Sequence, residues 1–158
     1  MPTTSPKFAA DEMLGSLARW LRIMGYDTSY EKDRADQEVL KAAVQEGRVL
    51  LTRDVELADR AAPGSLLIKS LDLDDQLRQV VGVYGLPVHE EMTRCTVCNG
   101  ELRAIAKEEA RGKVPDGSLD SHDEFFTCTR CGKMYWKGAH WRNIRKRLSE
   151  LRETSQSL

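Results

Sequence analysis

The first half of the chain alternates short apolar runs with segments whose apolar residues recur every three or four positions. Apolar runs of this length indicate buried strands, and the longer spacing indicates amphipathic helices. Strands alternating with helices favour a parallel sheet that is covered by helices on both faces. Strands are predicted at residues 7–10, 27–30, 49–52 and 66–68, and helices at about 13–24, 36–46, 54–61 and 73–84. The prediction is a compact α/β domain.

Two C-x-x-C pairs dominate the second half of the chain. Cys95 and Cys98 form the first pair, Cys128 and Cys131 form the second, and 29 residues separate them. Each pair presents two thiolates from one turn, so the two pairs complete a tetrahedral Zn²⁺ site. Two disulfides are disfavoured in a cytosolic chain, and a redox pair is disfavoured outside the strand–helix region. One structural zinc per chain is predicted.

The segment between the cysteine pairs is expected to form a long hairpin over residues 99–127. Loop closure is not an obstacle, because its entropic cost grows slowly with length. Gly100 and Gly132 follow the two pairs and are expected to supply the positive φ that such turns require. A helix with one apolar stripe is predicted from about residue 141 to residue 151.

The net charge of −1 conceals an uneven distribution. The chain has 158 residues, with 24 Lys+Arg and 25 Asp+Glu. Residues 1–91 hold 11 basic and 16 acidic side chains, a net charge of −5, whereas residues 92–158 hold 13 and 9, a net of +4. We therefore predict an α/β domain over 1–91 and a basic zinc ribbon over 92–158. The asymmetry indicates a polyanion partner, although two surfaces that attract each other would give the same pattern.

No apolar run in the sequence approaches the length of a membrane span, and residues 1–10 lack the apolar region of a signal peptide. We therefore expect a cytoplasmic protein with no membrane partner.

Three aspartates occupy positions where an open α/β sheet places its ligands. Asp11 and Asp54 lie between a predicted strand and the following helix, and Asp36 begins a helix. Ligands of such sheets bind beyond the carboxyl ends of the strands, and clustered carboxylates suit Mg²⁺ or Mn²⁺. The alternative is that each aspartate only caps its helix, because Asp is a preferred N-cap residue. Both interpretations stay open on these positions alone.

Residues 130–147 are basic and contain no acidic side chain. Cations that track phosphates, combined with aromatic faces that stack on bases, are typical of single-stranded nucleic-acid binding. The alternative is that Tyr135 and Trp136 cover the ribbon core while the following helix docks on the α/β domain. The candidate RNA contacts are Lys137, Arg142, Arg145, Lys146 and Arg147, together with Arg19 and Arg22 on the first helix.

Five segments resemble the Mut-seven C-terminal RNase family over about residues 7–145. The resemblance is specific because both halves match in the same order. It implies a PIN-like three-layer α/β/α parallel sheet with an appended four-Cys zinc ribbon and C-terminal helix, and a metal-dependent ribonuclease activity. The segments are FAADEMLGSLARWLRIMGYDT (8–28), DQEVLKAAVQEGRVLLTRDVELA (36–58), DQLRQVV (75–81), RCTVCNGEL (94–102) and FFTCTRCGKMYWKGAHW (125–141).

The resemblance also implies roles for the acidic residues. Asp11 matches the acid after the first strand, Asp36 matches the acid that opens a helix, and Asp54 is the Asp of a T-x-D motif. Glu56 matches a weaker fourth ligand. The first hypothesis is therefore a Mg²⁺- or Mn²⁺-dependent endoribonuclease whose ribbon and basic tail grip RNA. The alternatives are a non-catalytic RNA-binding module, associated with the ribosome or with RNA-processing proteins, and a protein–protein adaptor.

Overall fold

The computed structural model describes residues 5–156. The N-terminal part contains β1 (Lys7–Asp11), α1 (Gly15–Ile23), β2 (Thr28–Glu31), α2 (Asp36–Glu46), β3 (Arg48–Thr52), α3 (Val55–Ala61), β4 (Ser65–Leu67) and α4 (Leu73–Tyr84). The C-terminal part contains β5 (Leu102–Ile105), α5 (Lys107–Ala110), α6 (Asp116–Ser121), β6 (Phe125–Cys128), β7 (Met134–Tyr135) and α7 (Ala139–Gln156). The predicted alternation of strands and helices is confirmed.

The N-terminal strands form one parallel sheet in the order β2-β1-β3-β4. Because all four strands run in the same direction, their carboxyl ends share one edge of the sheet. Asp11 of β1 lies opposite Glu31 of β2 in the register, so both side chains belong to the same face. That edge carries the predicted acidic site.

Helices cover both faces of the sheet, which confirms the three-layer α/β/α architecture. On one face, Leu17 of α1, Leu77 of α4 and Leu148 of α7 share a buried cluster with the strands. On the other face, Val39 of α2 and Leu57 of α3 pack in a second cluster. The C-terminal helix therefore docks on the α/β core, as the alternative for the basic segment proposed, and the boundary at residue 91 stays a prediction.

The first helix begins later than its apolar spacing predicts. The Asp11 carboxylate accepts a hydrogen bond from the Glu12 backbone N–H at 2.6 Å, and residues Glu12–Leu14 form a 3-10 turn. Met13 is 73% exposed, although it fits the apolar period. The Asp11 cap therefore stabilises a 3-10 turn over Glu12–Leu14, and the α-helix begins only at Gly15.

The C-terminal part is a three-stranded antiparallel ribbon in the order β5-β6-β7. The pairing of β5 with β6 is the predicted long hairpin, but its connection contains α5 and α6, which were not predicted. These helices enclose a small core of Ala110, Val114, Leu119 and Phe125. None of the helices in the described part of the chain has the length and apolar content that crossing a membrane requires.

Candidate functional site

The four cysteines converge at one point of the ribbon. The Sγ–Sγ distance is 3.7 Å between Cys95 and Cys131 and 3.4 Å between Cys98 and Cys128, and all four sulfur atoms lie within 4.8 Å of one another. Thiolates bound to a tetrahedral zinc at about 2.3 Å are separated by about 3.8 Å. The four-sulfur arrangement therefore fits one zinc ion and leaves no open position on it.

Hydrogen bonds to sulfur support the thiolate form of this site. The backbone N–H groups of Arg130 and Cys131 each donate to Cys128 Sγ at 3.4 Å. The Tyr135 hydroxyl lies 3.0 Å from Cys95 Sγ and accepts a hydrogen bond from the Thr96 N–H, also at 3.0 Å. The hydroxyl of Tyr135 is therefore occupied by contacts at the four-cysteine site.

The thiols of the first pair differ in acidity before a metal binds. Burial acts to raise the pKa of Cys95, but hydrogen bonds from Tyr135 and from backbone N–H groups outweigh it and lower that pKa to about 6. Burial and contacts with neighbouring sulfur atoms raise the pKa of Cys98 to about 12. Because zinc binds thiolates, loading the site must release protons.

One glycine of the ribbon serves a different purpose from the predicted one. Gly132 has the predicted positive φ, at 78°. The prediction for Gly100 is wrong, because Asn99 takes the left-handed conformation instead, with a φ of 69°. Gly100 is required by proximity: a Cβ there would lie 2.7 Å from Cys128 Sγ and 3.2 Å from Cys98 Sγ.

A chain of hydrogen bonds links two of the predicted acidic residues at the carboxyl edge of the sheet. The Thr52 hydroxyl donates to Asp11 Oδ2 at 2.7 Å and accepts from the Asp54 backbone N–H at 3.0 Å. Thr52 is fully buried, so its hydroxyl is fixed between the two strand ends. The T-x-D motif therefore holds Asp11 and Asp54 in a defined relation.

The capping interpretation holds for two of the three aspartates. Asp54 accepts from the Leu57 N–H at 3.1 Å as the N-cap of α3, and Asp11 caps the 3-10 turn. Asp36 is not a cap, because the N-cap of α2 is Ala35, which has no side-chain hydrogen bond to the helix. The Asp36 carboxylate lies 3.9 Å from the Arg60 guanidinium of α3.

The acidic residues lie along one edge of the parallel sheet, but their carboxylates do not converge on a single point as the four cysteine sulfur atoms do. Within residues 5–156, the four cysteines are the one group of three or more Asp, Glu, His or Cys side chains close enough to share a metal ion. Asp36, Asp54 and Glu56 are exposed at the starts of α2 and α3. This edge therefore offers carboxylates that are accessible from solvent but still separate.

Sequence reasoning missed a further carboxylate at this edge. Glu31 is only 6% exposed and lies beside Asp11 in the sheet register. Ser29 Oγ donates to one of its oxygens at 2.9 Å, and the Arg34 guanidinium contacts the other at 2.7 Å. The predicted second strand stopped one residue before Glu31, and the position of Glu31 beside Asp11 depends on the pairing of β1 with β2, which a local pattern does not specify.

The basic side chains of α7, and Lys137 just before it, differ in the contacts that they make. Arg147 lies 4.9 Å above the Trp20 ring and 3.4 Å from the Asp74 carboxylate. Arg145 pairs with Glu90 at 3.3 Å. Lys137, Arg142 and Lys146 are exposed, and none of the three forms an ion pair within the described part of the chain.

Comparison with known proteins identifies the family. A family model described as the Mut7-C RNAse domain matches residues 6–148. The chain belongs to this family. The searches found no match among curated proteins and none among solved structures. The Mut7-C match covers both sheets and indicates a ribonuclease-type domain, with RNA as its substrate class.

Within this Mut7-C chain, the two arginines predicted to contact RNA from α1 have different environments. Arg19 is exposed. Arg22 is 8% exposed, and its guanidinium donates to the carbonyls of Thr28 at 2.8 Å, Thr96 at 3.0 Å and Val97 at 3.3 Å. Burial lowers its pKa, and the charges of Cys95 and Cys98 oppose that shift. Arg22 therefore joins α1 to the zinc site, whereas Arg19 stays a candidate RNA contact.

A second polar contact of the Mut7-C domain joins the first cysteine turn to the amino-terminal edge of the parallel sheet. Asn99 donates from Nδ2 to Asp27 Oδ1 at 2.6 Å and accepts from the Thr28 N–H at 3.0 Å. Arg48 contacts the same Asp27 oxygen at 2.7 Å. No local pattern indicates this contact, because Asp27 and Asn99 are 72 residues apart. The zinc ribbon thus docks opposite the acidic edge.

Proposed function

We propose that this protein is a Mg²⁺- or Mn²⁺-dependent endoribonuclease that acts at the carboxyl edge of the parallel sheet, in a domain of PIN-like type. The observation that carries the proposal is the hydrogen-bond chain from Asp11 through Thr52 to Asp54. It joins two acidic positions that both the strand–helix pattern and the family resemblance single out. Glu31, Asp36 and Glu56 add carboxylates around the same edge.

The donor set suits a hard divalent cation. Asp11, Asp36 and Asp54 offer carboxylate oxygens at a solvent-accessible edge, and Mg²⁺ or Mn²⁺ prefers such oxygen ligands. A cation bound there would acidify a water molecule and stabilise the charge that develops on a phosphodiester. Thr52 keeps the Asp11 carboxylate oriented, and Arg60 beside Asp36 offsets part of the negative charge of the edge.

The test compares RNA cleavage by the wild-type chain with cleavage by Asp11→Asn and Asp54→Asn. We expect both variants to lose at least about 100-fold in rate on labelled single-stranded RNA with Mn²⁺, because each loses a charged ligand. Asp72→Asn is the matched control: Asp72 caps α4 by accepting from Asp75 N–H at 3.0 Å. Equal cleavage by all four proteins would refute the assignment.

A second candidate function is a non-catalytic RNA-binding module, in which the acidic edge has only a structural role. The observation that favours it is that Asp11 and Asp54 both cap backbone N–H groups. It predicts RNA binding that survives the two Asp→Asn changes and weakens, with a smaller salt slope, when Arg145, Lys146 and Arg147 become Ala. Partners such as the ribosome or RNA-processing proteins belong to this proposal.

A further inference from the structure

A cleft of about 590 Å³ lies where the ribbon meets the α/β core. Its lining includes Arg19 and Ile23 of α1, Trp136 after β7, and Trp141 at the start of α7. Trp136 packs against the ribbon core and Trp141 is buried in α7. The wall of the cleft is therefore formed by residues of both the ribbon and the helices that pack on the parallel sheet. Its volume is in the range of small-molecule sites, and such sites favour domain interfaces.

The two indoles present unused hydrogen-bond donors. Neither the Trp136 nor the Trp141 side chain makes a hydrogen bond to any residue in 5–156, and no buried side-chain nitrogen in that range lacks a partner. Both indole N–H groups are therefore accessible. A Cβ at Gly138 would lie only 2.9 Å from Trp136 Nε1, so glycine lets this indole approach the backbone at the cleft. The wall combines apolar surface with free donors.

A basic groove of about 760 Å³ adjoins the cleft and shares His122, Gly138, Ala139 and Trp141 with it. Lys137 and Arg142 line this groove, together with Arg145 and its partner Glu90. The Lys137 ammonium lies 5.4 Å from the Trp141 ring. The groove also lies at the amino-terminal end of α7, where the helix dipole contributes positive potential.

We propose that the cleft and the basic groove together hold one nucleotide of single-stranded RNA, with the base in the cleft and a neighbouring phosphate in the groove. The inference deepens the proposed function and rests on it for the identity of the polymer. Aromatic walls beside cations are the combination that binds unpaired bases, and a paired base in a duplex cannot enter a cleft. Because the ribbon docks at the edge opposite the acids, this site holds RNA away from the cleaving edge.

Indole N–H resonances in a ¹⁵N-correlation spectrum test the proposal directly. The full-length, zinc-loaded Asp11→Asn chain is titrated with hexauridylate in buffer without divalent cations, and then with an abasic oligonucleotide of equal length. We expect saturable shifts of the Trp136 and Trp141 signals with hexauridylate only. Equal shifts with the abasic strand, or none with either, would overturn the proposal, because the base would then not enter the cleft.

Two variants separate the base from the phosphate. Trp136→Leu keeps an apolar side chain on the ribbon core and should weaken hexauridylate binding about tenfold, the effect of losing one stacked base. Arg142→Gln should reduce the salt slope by about one. The control is Arg103→Gln, because Arg103 is an exposed ribbon cation 3.8 Å from Glu109. Unchanged affinity in Trp136→Leu, or equal losses in Arg142→Gln and Arg103→Gln, would contradict the assignment.

Failure of this inference is distinguishable from failure of the proposed nuclease. If wild-type protein cleaves RNA with Mn²⁺ while both indole signals stay fixed, the cleft proposal alone is wrong. If the indole signals shift with hexauridylate and no cleavage occurs, the cleft site stands and the protein is a binding module.

Discussion

At the scale of single residues, the same pattern in the sequence can conceal opposite roles. Arg19 and Arg22 lie three positions apart on α1, and both fit the expectation of a phosphate contact. The structure leaves Arg19 exposed but buries Arg22 against three carbonyl oxygens. Periodicity of one helix cannot reveal this difference, because two of those carbonyls belong to residues more than 70 positions away.

We predict that Arg22→Ala lowers the free energy of unfolding by about 3 kcal/mol, because it leaves buried carbonyl groups without donors. Arg19→Ala should change it by less than about 0.5 kcal/mol. Urea denaturation of the zinc-loaded proteins measures both values. Equal stability of the two variants would mean that the contacts of Arg22 with the zinc turn have no energetic role.

Gly100 gives a second prediction at this scale. A methyl group there would collide with Cys128 Sγ, so Gly100→Ala should weaken zinc binding at least about tenfold, a loss typical of disturbing the surroundings of a metal ligand. Gly82→Ala is the control, since a Cβ at Gly82 meets nothing within 4 Å inside α4. That change should be neutral or slightly stabilising. Competition with a chromophoric chelator measures both affinities, and unchanged affinity in Gly100→Ala would contradict the steric argument.

At the scale of secondary-structure elements, the sequence predicted the features that depend on residues close together along the chain. The strands and helices of the parallel sheet follow from apolar runs and helical spacing, and the zinc site follows from two short motifs. The helices α5 and α6 were missed because they have only four and six residues, too few to show a period. Glu31 was missed because its role depends on pairing between strands, which a local pattern does not specify.

The start of α3 allows capping and metal binding to be separated. Asn caps a helix about as well as Asp, so Asp54→Asn should keep the free energy of unfolding within about 0.5 kcal/mol of wild type. Asp54→Ala should lower it by about 1 kcal/mol because the hydrogen bond to the Leu57 N–H is lost. Thermal denaturation of the zinc-loaded proteins without added Mg²⁺ or Mn²⁺ measures both effects. Equal losses in the two variants would show that the charge, and not the cap, stabilises α3.

At the scale of the whole molecule, the zinc ribbon and the parallel sheet form one connected structure. Asn99 of the first cysteine turn contacts Asp27 and Thr28, and α7 returns from the ribbon to pack Leu148 and Leu151 into the sheet's larger core. Folding of the ribbon is therefore coupled to the stability of the α/β layers.

Zinc removal should consequently affect the parallel sheet as well as the ribbon. The Thr28 N–H donates to Asn99, so chelation of zinc should accelerate its hydrogen exchange at least about tenfold, as local opening frees the amide. Leu51 is fully buried in β3, and its amide should change less. Exchange measured by NMR with and without a chelator gives the result. An unchanged rate at Thr28 would mean that the turn keeps its position without metal.

The same junction predicts a dependence of stability on pH. Burial acts to raise the pKa of Asp27, but hydrogen bonds from Arg48 and Asn99 outweigh it and lower the pKa. A carboxyl whose folded pKa is depressed stabilises the fold above its unfolded pKa of about 4, and this contribution disappears as the pH falls through the folded value. The advantage of wild type over Asp27→Asn should therefore be full at pH 7 and shrink below about pH 4. Urea denaturation of both proteins across this range tests it, and repeating the series with zinc-free protein shows how much of the change comes from acid release of zinc. A constant difference from pH 7 to pH 3 would show that Asp27 titrates normally and that the junction does not depend on its charge.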